Sequence, residues 1–180
     1  MFKLIFDSPP ATALAGALLL FGSVACQGPG QEAPPTTNRV YTTMLYGLLK
    51  KSVPFVSVDQ VKKQLPAVFL DTRAPREYAV SHLRGARWVG YEDFSLARVR
   101  DLPKDTPIVV YCSVGYRSEK VGEQLQRAGY TQVRNLYGGL FEWMNAGNLP
   151  VGKGNAPTER VHAFSRTWGI WLQRGQKVYQ

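Results

Sequence analysis

A continuous apolar run that ends in a cysteine limits the folds open to this chain more than any other feature. The run is Ile108–Tyr111 (IVVY), between Pro107 and Cys112. Such a run is typical of a strand buried on both faces of a parallel sheet. A helix is predicted to follow from about residue 118 to residue 128, where Gly129 ends it. Cys112 therefore lies between a buried strand and a helix, at the sheet edge where open α/β proteins bind ligands.

Shorter apolar runs alternate with helical segments along the rest of the chain. A helix over residues 75–80 begins with a proline, which suits the first turn of a helix. Alternating strands and helices predict a parallel α/β sheet with right-handed crossovers. The other expected strands are 67–70, 87–89 and 133–136, and a short helix is expected through Phe141, Trp143 and Met144.

Two local interactions are also predicted. Asp59 is placed to cap a helix that runs toward Leu65, because an Asp side chain can accept the free N–H groups of a first turn. Glu77 is expected to cap the helix that holds it or to pair at the surface with Arg73 or Arg76. Such surface pairs contribute little to stability.

The segment after the apolar strand can hold a reactive thiolate. Backbone N–H groups of a short loop and the N-terminus of the next helix favour negative charge at Cys112. Arg117 adds a full positive charge, and Gly115 supplies the permissive backbone that a tight loop needs. Because a thiolate rather than a thiol is the nucleophile, these features make Cys112 a candidate catalytic residue.

Four segments of the sequence, taken in order, resemble signatures of the rhodanese family. The most specific is Cys112–Ser118, which follows the family's C-x-x-G-x-R-S pattern. The resemblance extends over residues 55–150 and implies a rhodanese-like three-layer α/β fold, with a small parallel sheet flanked by helices. The other segments are 71–78 (D-x-R-x-x-x-E-[YF]), 81–86 (similar to G-H-I-x-G-A) and 133–139 (a strand followed by Gly-Gly).

The resemblance implies a sulfurtransferase that works without a cofactor or a metal ion. In that family the thiolate takes sulfane sulfur from a donor such as thiosulfate or a persulfide, and the resulting cysteine persulfide passes it to a thiol or to cyanide. Cys112 is then the catalytic residue, and Asp71 and Arg73 support the loop. The residues of the loop and of substrate binding are Ser113, Val114, Gly115, Tyr116, Arg117 and Ser118.

Two other functions stay open for this fold. Related phosphatases and arsenate reductases carry C-x5-R, whereas Cys112–Arg117 is C-x4-R, and the shorter loop favours a single sulfur atom. A non-catalytic rhodanese-fold binding module would dock a partner without turnover, although it has no need of the intact loop. Val114 stands where some thiosulfate-using relatives have a cation, and Tyr116 could select a larger or organic donor.

Charge and composition narrow the expected partners. The 180 residues carry a net charge of +9, yet the basic residues are scattered and no zinc-finger or RRM motif is present. Nucleic acid is therefore not an expected partner. Two cysteines and two isolated histidines do not make a structural metal site. We expect a small-molecule sulfur donor and a thiol acceptor.

The first residues resemble an export signal. The apolar run Ala11–Ala25 is short for a membrane span of about 20 residues. Because Ser23–Cys26 resembles the lipobox of bacterial lipoproteins, we predict a signal peptide over residues 1–25, lipidation of Cys26 and a flexible tether over residues 26–38. The protein is then exported to the periplasm or cell surface and anchored to the membrane by lipid. A plain signal, a single-span anchor and a buried helix are the alternatives.

Two segments flank the predicted rhodanese-like domain. Apolar residues at helical spacing predict an N-terminal helix over residues 39–54, closed by Pro54. A basic and aromatic C-terminal extension covers residues 151–180 and includes Phe164 and Trp168. We expect this extension to pack against the domain, the alternative being a membrane-surface or partner-binding element.

Overall fold

The computed structural model of the protein describes residues 33–63 and 66–180. The predicted signal peptide (1–25), Cys26 and the first part of the predicted tether lie outside these residues, so those predictions stay predictions. Within the described residues, no helix is both long enough and apolar enough to cross a membrane.

A five-stranded sheet forms the middle layer, and all of its neighbouring strands are parallel. The strands are β1 (Phe55–Val56), β2 (Val68–Asp71), β3 (Arg87–Trp88), β4 (Ile108–Tyr111) and β5 (Val133–Leu136). Their order is β1-β5-β4-β2-β3, so β4 lies at the centre of the sheet. The strand predicted from the IVVY run is confirmed at both of its ends, and every residue in it is buried.

Helices cover both faces of the sheet and form the outer layers. They are α1 (Arg39–Leu48), α2 (Val58–Lys62), α3 (Pro75–Val80), α4 (Tyr116–Arg127) and α5 (Gly139–Asn145), with a short 3-10 helix at Leu96–Val99. Side chains of β4 alternate between two cores. Val109 and Tyr111 pack with α1 and α5, whereas Ile108 and Val110 pack with α4. The predicted three-layer α/β fold with a parallel sheet is confirmed.

The N-terminal helix is shorter than predicted. Helix α1 ends at Leu48, so the prediction of a helix over residues 39–54 is wrong at its C-terminal end. The residue that follows, Leu49, is already extended. Lys51 has a φ of +60°, which no residue of a right-handed helix adopts, so the backbone has left the helical region before Pro54 is reached.

The cap of helix α2 also differs from the prediction. Ser57, rather than Asp59, is the N-cap residue. The Ser57 hydroxyl accepts the N–H of Gln60 at 3.2 Å, and the Gln60 side chain accepts the N–H of Ser57 at 2.9 Å. This reciprocal pair satisfies two of the free donors at the start of the helix, so Asp59 instead occupies the first turn.

The C-terminal segment folds back onto the core that α1 and α5 share. Its elements are β6 (Arg160–His162), α6 (Arg166–Gly169) and β7 (Gln176–Val178), and β6 and β7 pair as a separate parallel sheet. Val161, Ala163 and Leu172 are buried in this core. The Trp171 ring stacks on Tyr41 of α1 with the ring centroids 5.5 Å apart. The extension therefore packs against the domain, as predicted.

Candidate active site

Cys112 lies at the carboxyl end of β4, with 1% of its surface exposed. Residues 112–115 form a tight loop before α4 begins at Tyr116. The Gly115 N–H donates to Cys112 Sγ over 3.1 Å. Gly115 has a φ of +112°, a left-handed conformation that favours glycine. The loop therefore curls back so that a backbone N–H reaches the sulfur.

The start of α5 holds the carbonyl groups of this loop. The N–H of Leu140 donates to Cys112 O at 2.9 Å, and the N–H of Phe141 donates to Ser113 O at 3.0 Å. Gly139 makes this approach possible, because a Cβ at that position would overlap Cys112 O and the Ser113 backbone. Because these peptides are trans and planar, their N–H groups point away from α5.

A buried polar pair supports the loop from below. Asn135 Nδ2 donates to Gly115 O at 2.9 Å. The Ser118 hydroxyl lies 3.1 Å from Gly115 O and 2.8 Å from Asn135 Oδ1. Ser118 is fully buried. The structure thus puts this predicted loop residue underneath the loop, where it holds the Gly115 peptide.

Arg117 forms an ion pair with Glu77. Arg117 Nη1 donates to Glu77 Oε2 at 2.7 Å, and Nη2 donates to Oε1 at 2.9 Å. The Ser113 hydroxyl lies 3.1 Å from both side chains. The expectation that Glu77 pairs at the surface with Arg73 or Arg76 is wrong, because Glu77 is 1% exposed and its partner lies 40 residues along the chain. The alternative, that Glu77 caps its own helix, is confirmed, because its side chain accepts the N–H of the N-cap residue Ala74 at 3.0 Å.

This ion pair stays charged at neutral pH. Burial raises the pKa of Glu77, but the hydrogen bonds and charge of Arg117, helped by Arg73 and the Ala74 N–H, outweigh it and lower the pKa to about 2. For Arg117, burial lowers the pKa, whereas the hydrogen bond to Glu77 and the charges of Cys112 and Glu77 raise it, and the net direction is upward. The positive charge of Arg117 is therefore offset by a carboxylate in contact with it.

Asp71 and Arg73 support the sheet edge beside the loop. Both side chains are fully buried. Arg73 Nε donates to the Asp71 carboxylate at 3.0 Å, and Arg73 Nη2 donates to Asp71 Oδ2 and to Ser81 O, each at 2.6 Å. The N–H of Thr72, between them, donates to Tyr111 O at 3.0 Å, one residue before the thiol. Neither side chain lines the cavity beside Cys112.

A cavity of about 210 Å³ adjoins the thiol. Five of the sequence-predicted residues line it, namely Cys112, Ser113, Val114, Tyr116 and Arg117. The other two lining residues are Phe164 and Trp168, which the sequence placed outside the site. The Arg117 guanidinium lies over the Phe164 ring, 5.0 Å from its centroid. The C-terminal extension therefore forms part of the wall of this cavity.

The described residues contain no metal centre. No group of three His, Cys, Asp or Glu side chains within residues 33–63 and 66–180 could hold a metal ion. Cys112 is a free thiol. The predicted lipidation residue, Cys26, lies outside the described residues.

Comparison with known proteins defines the class to which the chain belongs. The rhodanese-like domain family matches residues 57–146, which include the loop and the strands on either side of it. The chain therefore belongs to the rhodanese-like domain family. The rhodanese-like domain of an Anabaena protein has a TM-score of 0.51 at 26% identity, over 55% of this chain and 79% of that one. The family match ends before Phe164 and Trp168.

Curated relatives include sulfurtransferases. A sulfurtransferase of Allochromatium vinosum is 33% identical over 84 residues, which are 47% of this chain and 77% of the relative. The thiosulfate sulfurtransferase GlpE of Pseudomonas fluorescens is 31% identical over 97 residues, which are 53% of this chain and 87% of the relative. The adenylyltransferase and sulfurtransferase uba4 of Ogataea parapolymorpha is 31% identical over 100 residues, which are 56% of this chain but 25% of that longer protein.

Proposed function

We propose that this protein is a sulfurtransferase that carries sulfane sulfur on Cys112. The observation that supports this most strongly is the geometry of the loop. The Gly115 N–H donates to Cys112 Sγ at 3.1 Å, beside a cavity large enough for a small donor. Membership of the rhodanese-like family and the sulfurtransferases among the relatives support the same reaction.

The first step moves one sulfur atom onto the thiolate. Cys112 Sγ attacks the outer sulfur of thiosulfate or of a persulfide, and a new S–S bond forms while the S–S bond of the donor breaks. The leaving group, sulfite or a thiolate, takes the electron pair of the broken bond, so neither oxidant nor reductant is consumed. The Gly115 N–H and the start of α4 stabilise the negative charge on the sulfur atoms.

The second step regenerates the thiolate. A thiolate or cyanide attacks the outer sulfur of the Cys112 persulfide, and the electron pair of that S–S bond returns to Sγ. Both nucleophiles enter as anions, so no general base is needed. Among the described residues that line the cavity, Arg117 is the one cationic side chain, and it is paired with Glu77.

Turnover tests this proposal. The purified full-length protein, given thiosulfate or an organic persulfide together with cyanide, should form thiocyanate. Cys112→Ser should form none, because a hydroxyl cannot carry sulfane sulfur. Cys26→Ser is the matched control for the second cysteine and should keep the wild-type rate.

Each contrary outcome has a definite meaning. Transfer that survives in Cys112→Ser would reject Cys112 as the carrier. Hydrolysis of an aryl phosphate that disappears in Cys112→Ser would favour phosphatase chemistry instead. Neither activity with any donor would favour a binding module.

We also propose that the protein is exported and anchored by lipid at Cys26. The support is the resemblance of residues 1–26 to a lipoprotein signal. Several acyl chains hold a protein on a membrane durably, so the protein expressed in a Gram-negative host should sediment with membranes and be released by detergent. Cys26→Ala should lose the lipid. An unmodified Cys26 thiol on the mature N-terminal peptide, measured by mass spectrometry, would contradict the anchor.

A further inference from the structure

Part of the cavity wall beside Cys112 comes from outside the family match. Phe164 and Trp168 line the cavity together with Val114 and Tyr116. Phe164 and Tyr116 leave 44% and 40% of their surfaces exposed. Aromatic surface that remains exposed beside a reactive group is available to a bound molecule. A molecule in this cavity would therefore contact mainly apolar side chains.

The C-terminal segment holds the backbone of both aromatic residues. Phe164 has a φ of +62°, an unfavourable conformation for a residue that carries a side chain. Its N–H donates to Nδ1 of buried His162 at 3.1 Å, and the N–H of Ser165 donates to Ala163 O at 2.7 Å. The N–H of Trp168 donates to Ser165 Oγ, the cap of α6, at 3.3 Å. Strained residues persist where the surrounding structure holds them, and they cluster at functional sites.

The charge around the cavity does not suit a small dianion. Thiosulfate carries two negative charges on a compact body, and its sulfonate oxygens need donors or cations. Among the described lining residues, the one cationic side chain is Arg117, and both oxygens of Glu77 already accept its N–H groups. Val114, Phe164 and Trp168 offer apolar surface. The Gly115 N–H therefore stabilises the reacting sulfur, and the rest of the cavity fits an uncharged organic group.

We propose that Phe164 and Trp168 are specificity-determining residues that fit the site to an organic sulfane-sulfur donor with an aromatic or other apolar body, in preference to thiosulfate. This inference rests on the proposed sulfurtransferase function. With an organic thiosulfonate, a bond forms between Cys112 Sγ and the outer sulfur of the donor. The bond between that outer sulfur and the sulfonyl sulfur breaks, and its electron pair leaves with an organic sulfinate.

Three donors separate the effect of the organic group on kcat/KM from the effect of the donor's charge. Benzenethiosulfonate and methanethiosulfonate share one reacting group and one negative charge, and they differ only in the body. Thiosulfate is the dianionic reference. For the wild-type full-length protein, kcat/KM with cyanide as acceptor should be highest for benzenethiosulfonate and lowest for thiosulfate. A hydrophobic contact of this size typically changes kcat/KM about tenfold or more.

The two thiosulfonates also differ in intrinsic reactivity, and this difference cancels when the ratio of their kcat/KM values is compared between wild type and a variant. Trp168→Ala and Phe164→Asn should each lower the ratio of kcat/KM for benzenethiosulfonate to that for methanethiosulfonate by about tenfold. Asn is chosen because it tolerates the left-handed backbone of Phe164. Ile170→Ala is the matched control, since Ile170 belongs to the same segment, is 61% exposed and does not line the cavity. It should keep the wild-type ratio.

The outcomes distinguish this inference from the function on which it rests. An equal loss with both thiosulfonates, an unchanged ratio in both cavity variants, or a preference for thiosulfate would overturn the specificity proposal. In each of these cases Cys112-dependent transfer remains, and the sulfurtransferase assignment stands. No Cys112-dependent transfer from any of the donors would overturn both.

Discussion

The two sides of the Cys112 cavity are held in different ways. On the loop side, backbone hydrogen bonds from the start of α5 fix the loop, and the ion pair between buried Glu77 and partly buried Arg117 lies against it. On the C-terminal side, the structure depends on apolar packing, with Leu172 fully buried and Trp171 stacked on a tyrosine of α1. The loop side belongs to the part of the chain that matches the family, whereas the C-terminal side lies beyond it.

For the sulfurtransferase that we propose, this difference separates the reactivity of the thiol from the selectivity for a donor. The loop presents a backbone N–H to the sulfur, a contact that does not depend on which side chains line the cavity. The aromatic wall touches the space where the body of a donor would lie. A change on one side should therefore leave the chemistry of the other largely intact, provided that the fold survives.

The largest effect on stability is expected at the fully buried ion pair between Asp71 and Arg73, at the sheet edge beside the loop. Asp71→Asn keeps the shape of the side chain but leaves the fully buried Arg73 guanidinium without a counter-charge. Breaking a buried pair in this way costs about 3–5 kcal/mol, which urea unfolding would measure. Asp101→Asn is the matched control, because its partner Arg87 is also exposed, and it should leave the unfolding midpoint unchanged. Equal midpoints for the two variants would show that the loop-side pair is not a support.

A somewhat smaller effect is expected on the apolar side. Leu172→Ala removes a fully buried side chain between the C-terminal segment and the core. Truncations of this kind cost about 2–5 kcal/mol, and Ile170→Ala, at an exposed position of the same segment, should change stability by less than about 0.5 kcal/mol. Unfolding curves of both variants measure the difference. A Leu172→Ala variant as stable as Ile170→Ala would mean that the segment is not packed in solution.

The smallest of these effects depends on pH and concerns Glu77. Its pKa is lowered from 4.5 to about 2 in the folded protein. The stabilisation is therefore fully present above pH 4.5 and is lost as the pH falls toward about 2. A shift of this size corresponds to about 3 kcal/mol at neutral pH. The difference in unfolding free energy between wild type and Glu77→Gln should shrink over this pH range, and a constant difference would contradict the cause given for the low pKa.

The sequence identifies the parts of the fold that depend on local patterns. The IVVY run forms a strand where predicted. A short unbroken apolar segment bounded by a proline is typical of a buried strand. The strand at Val133–Leu136 was found for a related reason, since Gly138 and Gly139 follow it. Helix α4 begins two residues before the prediction of 118, because the left-handed Gly115 ends the loop at once.

The rest of the site depends on contacts between distant residues. The partners Glu77 and Arg117 lie 40 residues apart, and the spacing of neither one indicates the other. Phe164 and Trp168 reach the cavity because β6 packs beside α3 and shares a core with α5, which no local periodicity encodes. One feature of the sequence did point to this contact. The C-terminal segment is rich in aromatic residues, and these are expected to be buried against the rest of the domain.

The mass of the peptide that contains Cys112, digested from the full-length protein after incubation with an organic sulfane-sulfur donor and removal of the excess, is the most direct test of Cys112 as the sulfur carrier. We expect this peptide to gain one sulfur atom and to lose it again when a thiol acceptor is added. The corresponding peptide of Cys112→Ser should gain nothing. A peptide mass that never changes with any donor, or a sulfur atom that the Cys112→Ser peptide still acquires, would contradict the assignment of Cys112 as the sulfur carrier.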